Sequence, residues 1–175
     1  MALREDTGIY PVMIELASCL CQEMEKEGGP ELCSCGVKFG SASTAFCGEC
    51  QEIGCGGQAW VRLVDAFPSS VFPSADQALS NCKSPWAYQL EVGVIRCAPK
   101  GEVSGINGYT PPTLEQNVEA LRLQTADLAA MRRAIQCCFG AGDRDYIIGT
   151  YAQVDEISSG GCLGGVITVF VREDF

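Results

Sequence analysis

The sequence predicts an α+β fold in which a mainly antiparallel sheet is packed by two helices, in the order α-β-β-α-β-β. Two observations support this class. Apolar residues recur at helical spacing in two segments, one near the N-terminus and one from Thr113 to Phe139. Each of these segments is followed by two shorter ones with the apolar pattern of strands. A single sheet covered by both helices is the simplest arrangement of these elements, and 175 residues suit one domain, 1–175.

The longest helical segment, Thr113 to Phe139, organises the predicted fold. Its main apolar stripe, which we expect to face the core, consists of Leu114, Val118, Leu121, Leu128, Met131 and Ile135. Thr113 and Gln116 predict a capping box, and Gly140 and Gly142 predict the end of the helix. A weaker stripe on the opposite side suggests a second packing partner; it consists of Ala120, Leu123, Ala130 and Ala134.

A shorter helix is predicted near the N-terminus, from about Tyr10 to Glu27. Its apolar stripe, which we also expect to be buried, consists of Ile9, Met13, Leu16, Leu20 and Met24. Three glutamates crowd its last turn, namely Glu23, Glu25 and Glu27. Because acidic side chains are unfavourable at the negative end of the helix dipole, we expect this end to be solvated and frayed.

The Cys- and Gly-rich segment from Gly28 to Gly57 has neither a helical nor a strand period, so we interpret it as a loop insertion. Its cysteines are Cys33, Cys35, Cys47, Cys50 and Cys55. Three states remain open: disulfides, free thiols, or a four-thiolate zinc site built from the pairs Cys33/Cys35 and Cys47/Cys50. A redox role for Cys47 and Cys50 is disfavoured because no strand precedes them and no helix follows.

Strands are predicted at Gln58–Phe67, Trp86–Cys97, Tyr146–Val154 and Val166–Arg172. The last of these is apolar on both faces, so we expect it to be central in the sheet. Serines and prolines at 68–74 predict a long exposed connection, and residues 98–112 predict a linker. The glycines at 160–165 lack the Lys-Ser/Thr pair and the following helix of a phosphate-binding loop, so we interpret them as a turn or bulge.

Composition excludes several classes of function. The chain has no histidine, which removes Ser-His-Asp and Cys-His catalysis and histidine-ligated zinc. Its net charge of −10 argues against a tightly held nucleic acid, since duplex binding depends on basic side chains. No apolar run reaches the length of a membrane helix, and the N-terminus lacks a basic, apolar signal segment, so we expect neither membrane insertion nor secretion.

No catalytic, cofactor-binding or metal-ligating residue can be assigned a defined role from the sequence. The serines at 104, 158 and 159 lack the pattern of a nucleophile elbow. Arg132 and Arg133 lie near the C-terminal end of the long helix, where positive charges interact favourably with the helix dipole. Arg132 also falls on the side of the helix that we expect to face the core. We therefore expect a protein that is not an enzyme and needs no cofactor.

Four segments together resemble a known family. They are WVRLV at 60–64, LEVGVIRCAP at 90–99, DLAAMRRAI at 127–135, and GGCLGG at 160–165 before a β-rich terminus. In these segments the chain resembles the small neck and tail-completion proteins of long-tailed phages that infect actinobacteria, and among them the tail terminators. The resemblance covers most of the chain from Gln58 onward, whereas the segment from Gly28 to Gly57 has no counterpart in it.

The resemblance implies an α+β subunit that forms a six-fold ring on the last ring of the tail tube, stops tube polymerisation and contacts the head-side connector. Genomic DNA would pass through the ring without specific binding, which suits an acidic protein. It further implies synthesis in the host cytoplasm, a place in the virion neck, and no membrane partner. A head-side adaptor or stopper ring remains an alternative, and a Cys-rich zinc-binding module is a more distant one.

Cysteines outside the loop insertion lie at the edges of predicted elements; they include Cys97, Cys137, Cys138 and Cys162. Pairing among them would pin the second strand and the terminal loop to the long helix, although connectivity cannot be deduced from spacing. For a virion that matures outside a reducing cytoplasm, we expect several of the twelve cysteines to be crosslinked.

Overall fold

Two helices and a five-stranded sheet confirm the α+β class in a computed structural model that describes residues 8–40, 56–77, 85–99, 101–104, 108–140, 146–156 and 161–172. The elements are α1 (Ile9–Lys26), β1 (Ser34–Val37), β2 (Gly57–Pro68), β3 (Trp86–Cys97), β4 (Glu102–Ser104), β5 (Gly108–Thr110), α2 (Leu114–Phe139), β6 (Tyr146–Glu156) and β7 (Cys162–Arg172). The four predicted strands are therefore present, with β6 and β7 longer than predicted.

The sheet has the strand order β1-β2-β3-β7-β6, and a separate hairpin pairs β4 with β5. Only β1 and β2 are parallel, so the prediction of a mainly antiparallel sheet is confirmed. β7 lies between β3 and β6, as its apolar faces predicted. The β3–β7 register pairs Ala87 with Arg172 at one end and Arg96 with Leu163 near the other. We call these the Arg172 end and the Arg96 end of the sheet.

Both helices pack on the same face of the sheet and share one core. The predicted stripe of α1 is confirmed, because Met13, Leu16, Leu20 and Met24 are buried and Ile9 packs against them. The sheet contributes alternate residues of three strands, namely Val61, Leu90, Val92, Val94, Ile167, Val169 and Val171. At roughly 1.5–3 kcal/mol for each large apolar side chain, this burial is the main favourable term of the fold.

The predicted core side of α2 is wrong over the N-terminal half of the helix. Leu114, Val118 and Leu121 are 79%, 58% and 59% exposed, and Arg132 is also exposed. The side that faces the sheet carries the weaker stripe, with Ala120 and Leu123 partly buried; its buried residues are Asp127, Ala130, Met131, Ala134, Ile135, Cys138 and Phe139. Of the predicted core stripe, Met131 and Ile135 are buried as expected, and Leu114, Val118 and Leu121 point outward.

The C-terminal end of α1 is not a solvated charge run. Glu23 is buried and accepts hydrogen bonds from Lys26 and from Arg133 of α2, and Arg133 also donates to Glu27. Hydrogen bonds from Lys26 and then Arg133 lower the pKa of Glu23, although burial opposes them. Only Glu25 of the three glutamates is left exposed. The prediction failed because the compensating arginine lies 110 residues further along the chain.

The start of the Cys-rich segment contains a strand, so the prediction of a loop from Gly28 onward is wrong at Ser34–Val37. This strand, β1, pairs in parallel with the start of β2 and is bonded to α1 by the disulfide Cys21–Cys35. Cys33 is also disulfide-bonded, so the predicted four-thiolate zinc site lacks two of its ligands. The remaining cysteines of the segment, at 47, 50 and 55, lie outside the described residues.

Three connections also differ from the prediction. Ser69 is buried, so the connection after β2 is not exposed throughout, and the linker at 98–112 contains the β4–β5 hairpin. Gly164 and Gly165 belong to β7 and form no turn. A Cβ atom at Gly164 would lie 2.1 Å from the carbonyl oxygen of Val94, and one at Gly165 would lie 2.2 Å from the ring of Tyr151. The glycines therefore allow close approach within the sheet.

Candidate interaction surface

The N-terminal half of α2 presents an apolar face that its own fold leaves uncovered. This outer stripe consists of Leu114, Val118 and Leu121, which are spaced at i, i+4 and i+7 and therefore align along one side of the helix. The helix starts here because of the predicted capping box, which is confirmed. Thr113 Oγ1 accepts a hydrogen bond from the Gln116 backbone N–H (3.2 Å), and Gln116 Oε1 accepts one from Thr113 N–H (2.8 Å).

A buried ion pair holds the middle of α2 at the Arg96 end of the sheet. Arg96 Nε and Nη2 donate to the two carboxylate oxygens of Asp127 (2.7 and 2.8 Å), and Nη1 donates to the carbonyl oxygen of Pro30 (3.0 Å). A cavity of about 390 Å³ lies beside Arg96, between the end of α1 and residues 29–35. Because Arg96 is already hydrogen-bonded to Asp127 and to Pro30, we assign it a structural role. It fixes the position of α2, and with it the position of the outer stripe.

A second exposed surface, lined by both apolar and polar side chains, lies at the Arg172 end of the sheet. This end groove has a volume of about 510 Å³ and is lined by Ser70, Val71, Phe72, Tyr146, Ile147 and Arg172. Val71 is 73% exposed and Ile147 is 41% exposed. Tyr146 also packs on Phe139 at the C-terminal end of α2, with ring centroids 5.2 Å apart. α2 therefore runs from the Arg96 end, where its outer stripe lies, towards the end groove.

The wall of the end groove is an ordered turn. Ser74 N–H donates to the carbonyl oxygen of Val71 (2.8 Å), and Ser69 Oγ donates to that of Ser74 (2.8 Å). The Ser70 hydroxyl donates to Asp76 Oδ2 (2.7 Å). These bonds close the turn around Val71, so its side chain is held outward on a fixed backbone. A preformed apolar surface binds at lower entropic cost than one that must be ordered on contact.

The two surfaces differ in charge. The outer stripe is flanked by Glu115 and by Glu119, whose pKa is lowered by hydrogen bonds from Arg122. The end groove instead contains Arg172.

The face of the sheet opposite the helices carries a polar cluster centred on Glu91. Arg62 Nε and Nη2 donate to its two carboxylate oxygens (2.6 and 2.8 Å), and Trp60 Nε1 donates to one of them (2.9 Å). Burial raises the pKa of Glu91, but the bonds from Arg62 and Trp60 outweigh it and lower the pKa. The Trp60 ring lies over Gly93, where a Cβ atom would be 2.3 Å away. Because Glu91 is bonded within the fold, we assign this cluster to stability.

The other sequence candidates stay apart. Arg132 is exposed, and Ser104 lies in β4 of the separate β4–β5 hairpin; residues 158 and 159 are outside the described part of the chain. Among the described residues, no group of three or more Cys, Asp or Glu side chains is placed to hold a metal ion. The end groove was not predicted from the sequence, although the apolar pair Val71 and Phe72 within a Ser- and Pro-rich connection was a visible signal.

Neither the models of known protein families nor the curated proteins include a match to this chain. Within the described ranges, no helix is both long enough and apolar enough to cross a membrane.

Proposed function

We propose that this chain is a structural assembly subunit that acts through contacts with its neighbours and catalyses no reaction. More specifically, we propose that it is the tail terminator of a long-tailed phage of actinobacteria. In that role a ring of subunits, six by the resemblance, sits on the head-proximal end of the tail tube. The ring stops tube polymerisation and joins the tail to the head-side connector.

The observation that carries this proposal is the outer stripe of α2. Three large apolar side chains on one side of a helix, each more than half exposed, make a contiguous apolar surface of the kind that marks a protein contact. The same helix is anchored in the core by its C-terminal half, so the stripe belongs to a rigid element. Such a surface suits a subunit that gains stability from its neighbours.

Two further features support the phage assignment. The segments at 60–64 and 90–97, which contribute to the resemblance, lie on the adjacent strands β2 and β3, and the segment at 127–135 forms the core-facing half of α2. The resemblance thus covers packed parts of one fold. The net charge of −10 also suits a ring through which DNA must pass without being held.

The proposal can be tested in the phage that encodes the chain, with Val118→Glu in the outer stripe and Gln136→Glu as the control. Gln136 is exposed on the same helix but beyond the stripe, so both variants gain one negative charge. Loss of a terminator should give tail tubes of uncontrolled length for Val118→Glu and normal tails for Gln136→Glu, as seen by electron microscopy.

The same images separate the head-side alternative. A failed adaptor or stopper would give tails of normal length that are separated from full heads. Binding to the ends of polymerised tail-tube protein gives a direct check, because a terminator should decorate tube ends. Normal virions from the Val118→Glu phage, or no binding of the unaltered chain to tube ends, would contradict the proposal.

A further inference from the structure

We propose that the disulfide Cys21–Cys35 is a redox switch that controls one edge of the sheet. In its oxidised form it links β1 to α1 and keeps the edge of β2 covered. In its reduced form it lets β1 open while the rest of the fold stays intact. This inference goes beyond the proposed function and does not depend on it, because it is tested on the isolated chain.

The disulfides Cys21–Cys35 and Cys19–Cys138 differ in their access to a reductant. Cys21 and Cys35 are both partly exposed, and both line the cavity of about 390 Å³ between the end of α1 and residues 29–35. Cys138, in contrast, is buried in the core that the two helices share. Because thiol–disulfide exchange requires a thiolate to reach a sulfur atom, we expect a small reductant to attack Cys21–Cys35 first.

The strand that this disulfide holds is short. β1 has four residues, none of them is buried, and it lies at the end of the strand order, paired in parallel with β2. Parallel pairs are slightly less stable per residue than antiparallel ones. Two further backbone bonds flank the strand: Cys33 N–H donates to the carbonyl oxygen of Gly57 (2.7 Å), and Lys38 N–H donates to that of Val61 (2.9 Å). We therefore expect β1 to open before the longer strands once its link to α1 is cut.

Contacts on the other side of β1 limit how far it moves. Cys33, just before the strand, has a disulfide bond of its own and packs against Trp60 and Ile95 on the face of the sheet opposite the helices. Lys38, just after the strand, places its Nζ 5.1 Å from the centre of the Trp60 ring. Cys35 instead packs on the helix side. Reduction should therefore free the helix side of β1 and leave its two ends attached, so that the strand can close again.

The part of the sheet that β1 covers is the start of β2. β1 pairs with Gln58 to Val61, and the side chains of Ala59 and Val61 are fully buried. When β1 opens, backbone N–H and C=O groups of this part of β2 lose their partners and face solvent. An uncovered strand edge of this kind is a template for an added strand. The redox state of Cys21–Cys35 thus determines whether this edge of the sheet is closed or open.

The chemical step is thiol–disulfide exchange with a dithiol reductant. One thiolate of the dithiol attacks the sulfur atom of Cys21 or Cys35, a mixed disulfide forms, and the other cysteine leaves as a thiolate. The second thiolate of the dithiol then displaces the remaining cysteine and closes a disulfide within the reductant. Two electrons pass to the protein, and the two cysteines take up the two protons that the dithiol has lost. A small disulfide such as oxidised glutathione reverses the step.

The first test follows both disulfides while the folded, unaltered chain is reduced. The chain is incubated with increasing concentrations of dithiothreitol, new thiols are blocked with iodoacetamide, and the peptides are mapped by mass spectrometry. Cys21 and Cys35 should be alkylated at a lower concentration than Cys19 and Cys138. Alkylation of Cys19 and Cys138 first, or of all four cysteines together, would overturn the inference.

Hydrogen exchange then shows what reduction opens, at a dithiothreitol concentration that reduces only Cys21–Cys35. The amides of residues 34–38 and 57–62 should exchange at least about tenfold faster, because a disulfide that closes a short loop typically stabilises by more than a factor of ten. Exchange in β3, β7 and α2 should be unchanged, and oxidised glutathione should restore the slow exchange. Unchanged exchange at 34–38, or equal acceleration along the whole chain, would refute the switch.

Variants give the same comparison without a reductant. Cys21→Ser combined with Cys35→Ser should exchange fast at 34–38 and 57–62, like the reduced chain. Cys137→Ser is the matched control, since it removes an exposed free thiol, and it should exchange like the oxidised, unaltered chain. Slow exchange at 34–38 in the double variant, or loss of protection in β3 as well, would contradict a local opening of β1.

Discussion

Arg96 and Asp127 join the sheet to α2 through two short hydrogen bonds in the interior of the protein. Asp127→Asn removes the negative charge but keeps the size of the side chain, so a guanidinium remains buried without its counter-charge. Breaking such a buried pair typically costs about 3–5 kcal/mol. We expect urea unfolding of Asp127→Asn to show a loss of this size in the free energy of unfolding.

The exposed ion pair between Glu119 and Arg122, also on α2, provides the control for Asp127→Asn. Glu119→Gln removes the partner of Arg122 at the surface, where solvent screens the interaction, and should leave the urea midpoint unchanged. A double replacement, Arg96→Met with Asp127→Leu, should be less harmful than Asp127→Asn because it leaves no unpaired charge. Equal midpoints for Asp127→Asn and Glu119→Gln would show that the buried pair is not needed to hold α2.

Glu23 should make the fold sensitive to acid. Its pKa is lowered by Lys26 and Arg133 in the folded protein, so it binds a proton more readily after unfolding. The stability that it contributes is therefore present above about pH 4.3, where an unperturbed glutamate titrates, and is lost as pH falls through its lowered pKa. Glu23→Gln should be less stable than the unaltered chain at pH 7, and the difference should shrink as pH falls.

The measurement is chemical unfolding of both chains at a series of pH values from 7 downward. Glu25→Gln is the matched control, since Glu25 is an exposed carboxylate two residues away on α1. It should follow the unaltered chain at every pH. If the difference in the free energy of unfolding between Glu23→Gln and the unaltered chain stays constant from neutral to acid pH, this role for Glu23 is ruled out.

The two halves of α2 should respond differently to truncation of an apolar side chain. Ile135 is fully buried, so Ile135→Ala should cost about 2–5 kcal/mol through lost burial and a cavity. Leu121 is mostly exposed, so Leu121→Ala should change the free energy of unfolding by less than about 0.5 kcal/mol. Thermal or urea unfolding of the monomer measures both changes. A large loss in the free energy of unfolding for Leu121→Ala would show that the outer stripe is part of the core.

The elements of this fold were predictable from periodicity, but their orientation was only partly so. α2 begins at Thr113 as its capping box predicts, and β3 has the predicted bounds. Period alone could not tell which of the two stripes of α2 faces the sheet, because both repeat at helical spacing. The deciding contact, between Asp127 and Arg96, joins residues 31 positions apart in separate elements.

What could not be predicted consists of short strands and distant contacts. β1, β4 and β5 have four, three and three residues, too few to show a strand period. The end groove is assembled from the turn after β2, the start of β6 and the end of β7, which meet only in the folded sheet. The apolar residues of the outer stripe could be recognised in the sequence. Their exposure could not, because it depends on which face of α2 packs on the sheet.

Disulfides link the N-terminal helix to the rest of the fold. Cys19–Cys138 joins α1 to α2 across 119 residues. Closing a loop of this length restricts the unfolded chain, and the loss on removal is on the order of 2–5 kcal/mol. Cys19→Ser combined with Cys138→Ser should lower the free energy of unfolding by that amount, whereas Cys137→Ser, at an exposed free thiol, should not.

Peptide mapping of unreduced protein, taken from the virions that the proposed function predicts, tests the same disulfide directly. It should recover Cys19 linked to Cys138 and Cys21 linked to Cys35. Mapping that finds all twelve cysteines as free thiols would contradict both the pairings and the expectation that the virion matures outside a reducing environment.

Net charge sets how assembly should depend on salt. Each copy carries −10, so bringing copies together opposes like charges, while burial of the outer stripe in the proposed contact between copies favours association without being screened. Raising the ionic strength from about 0.1 M to about 1 M shortens the screening length from about 10 Å to about 3 Å. Self-association in sedimentation should therefore strengthen with added NaCl, the opposite of DNA binding, which weakens. Association that weakens with NaCl would mean that ion pairs, and not the outer stripe, hold the copies together.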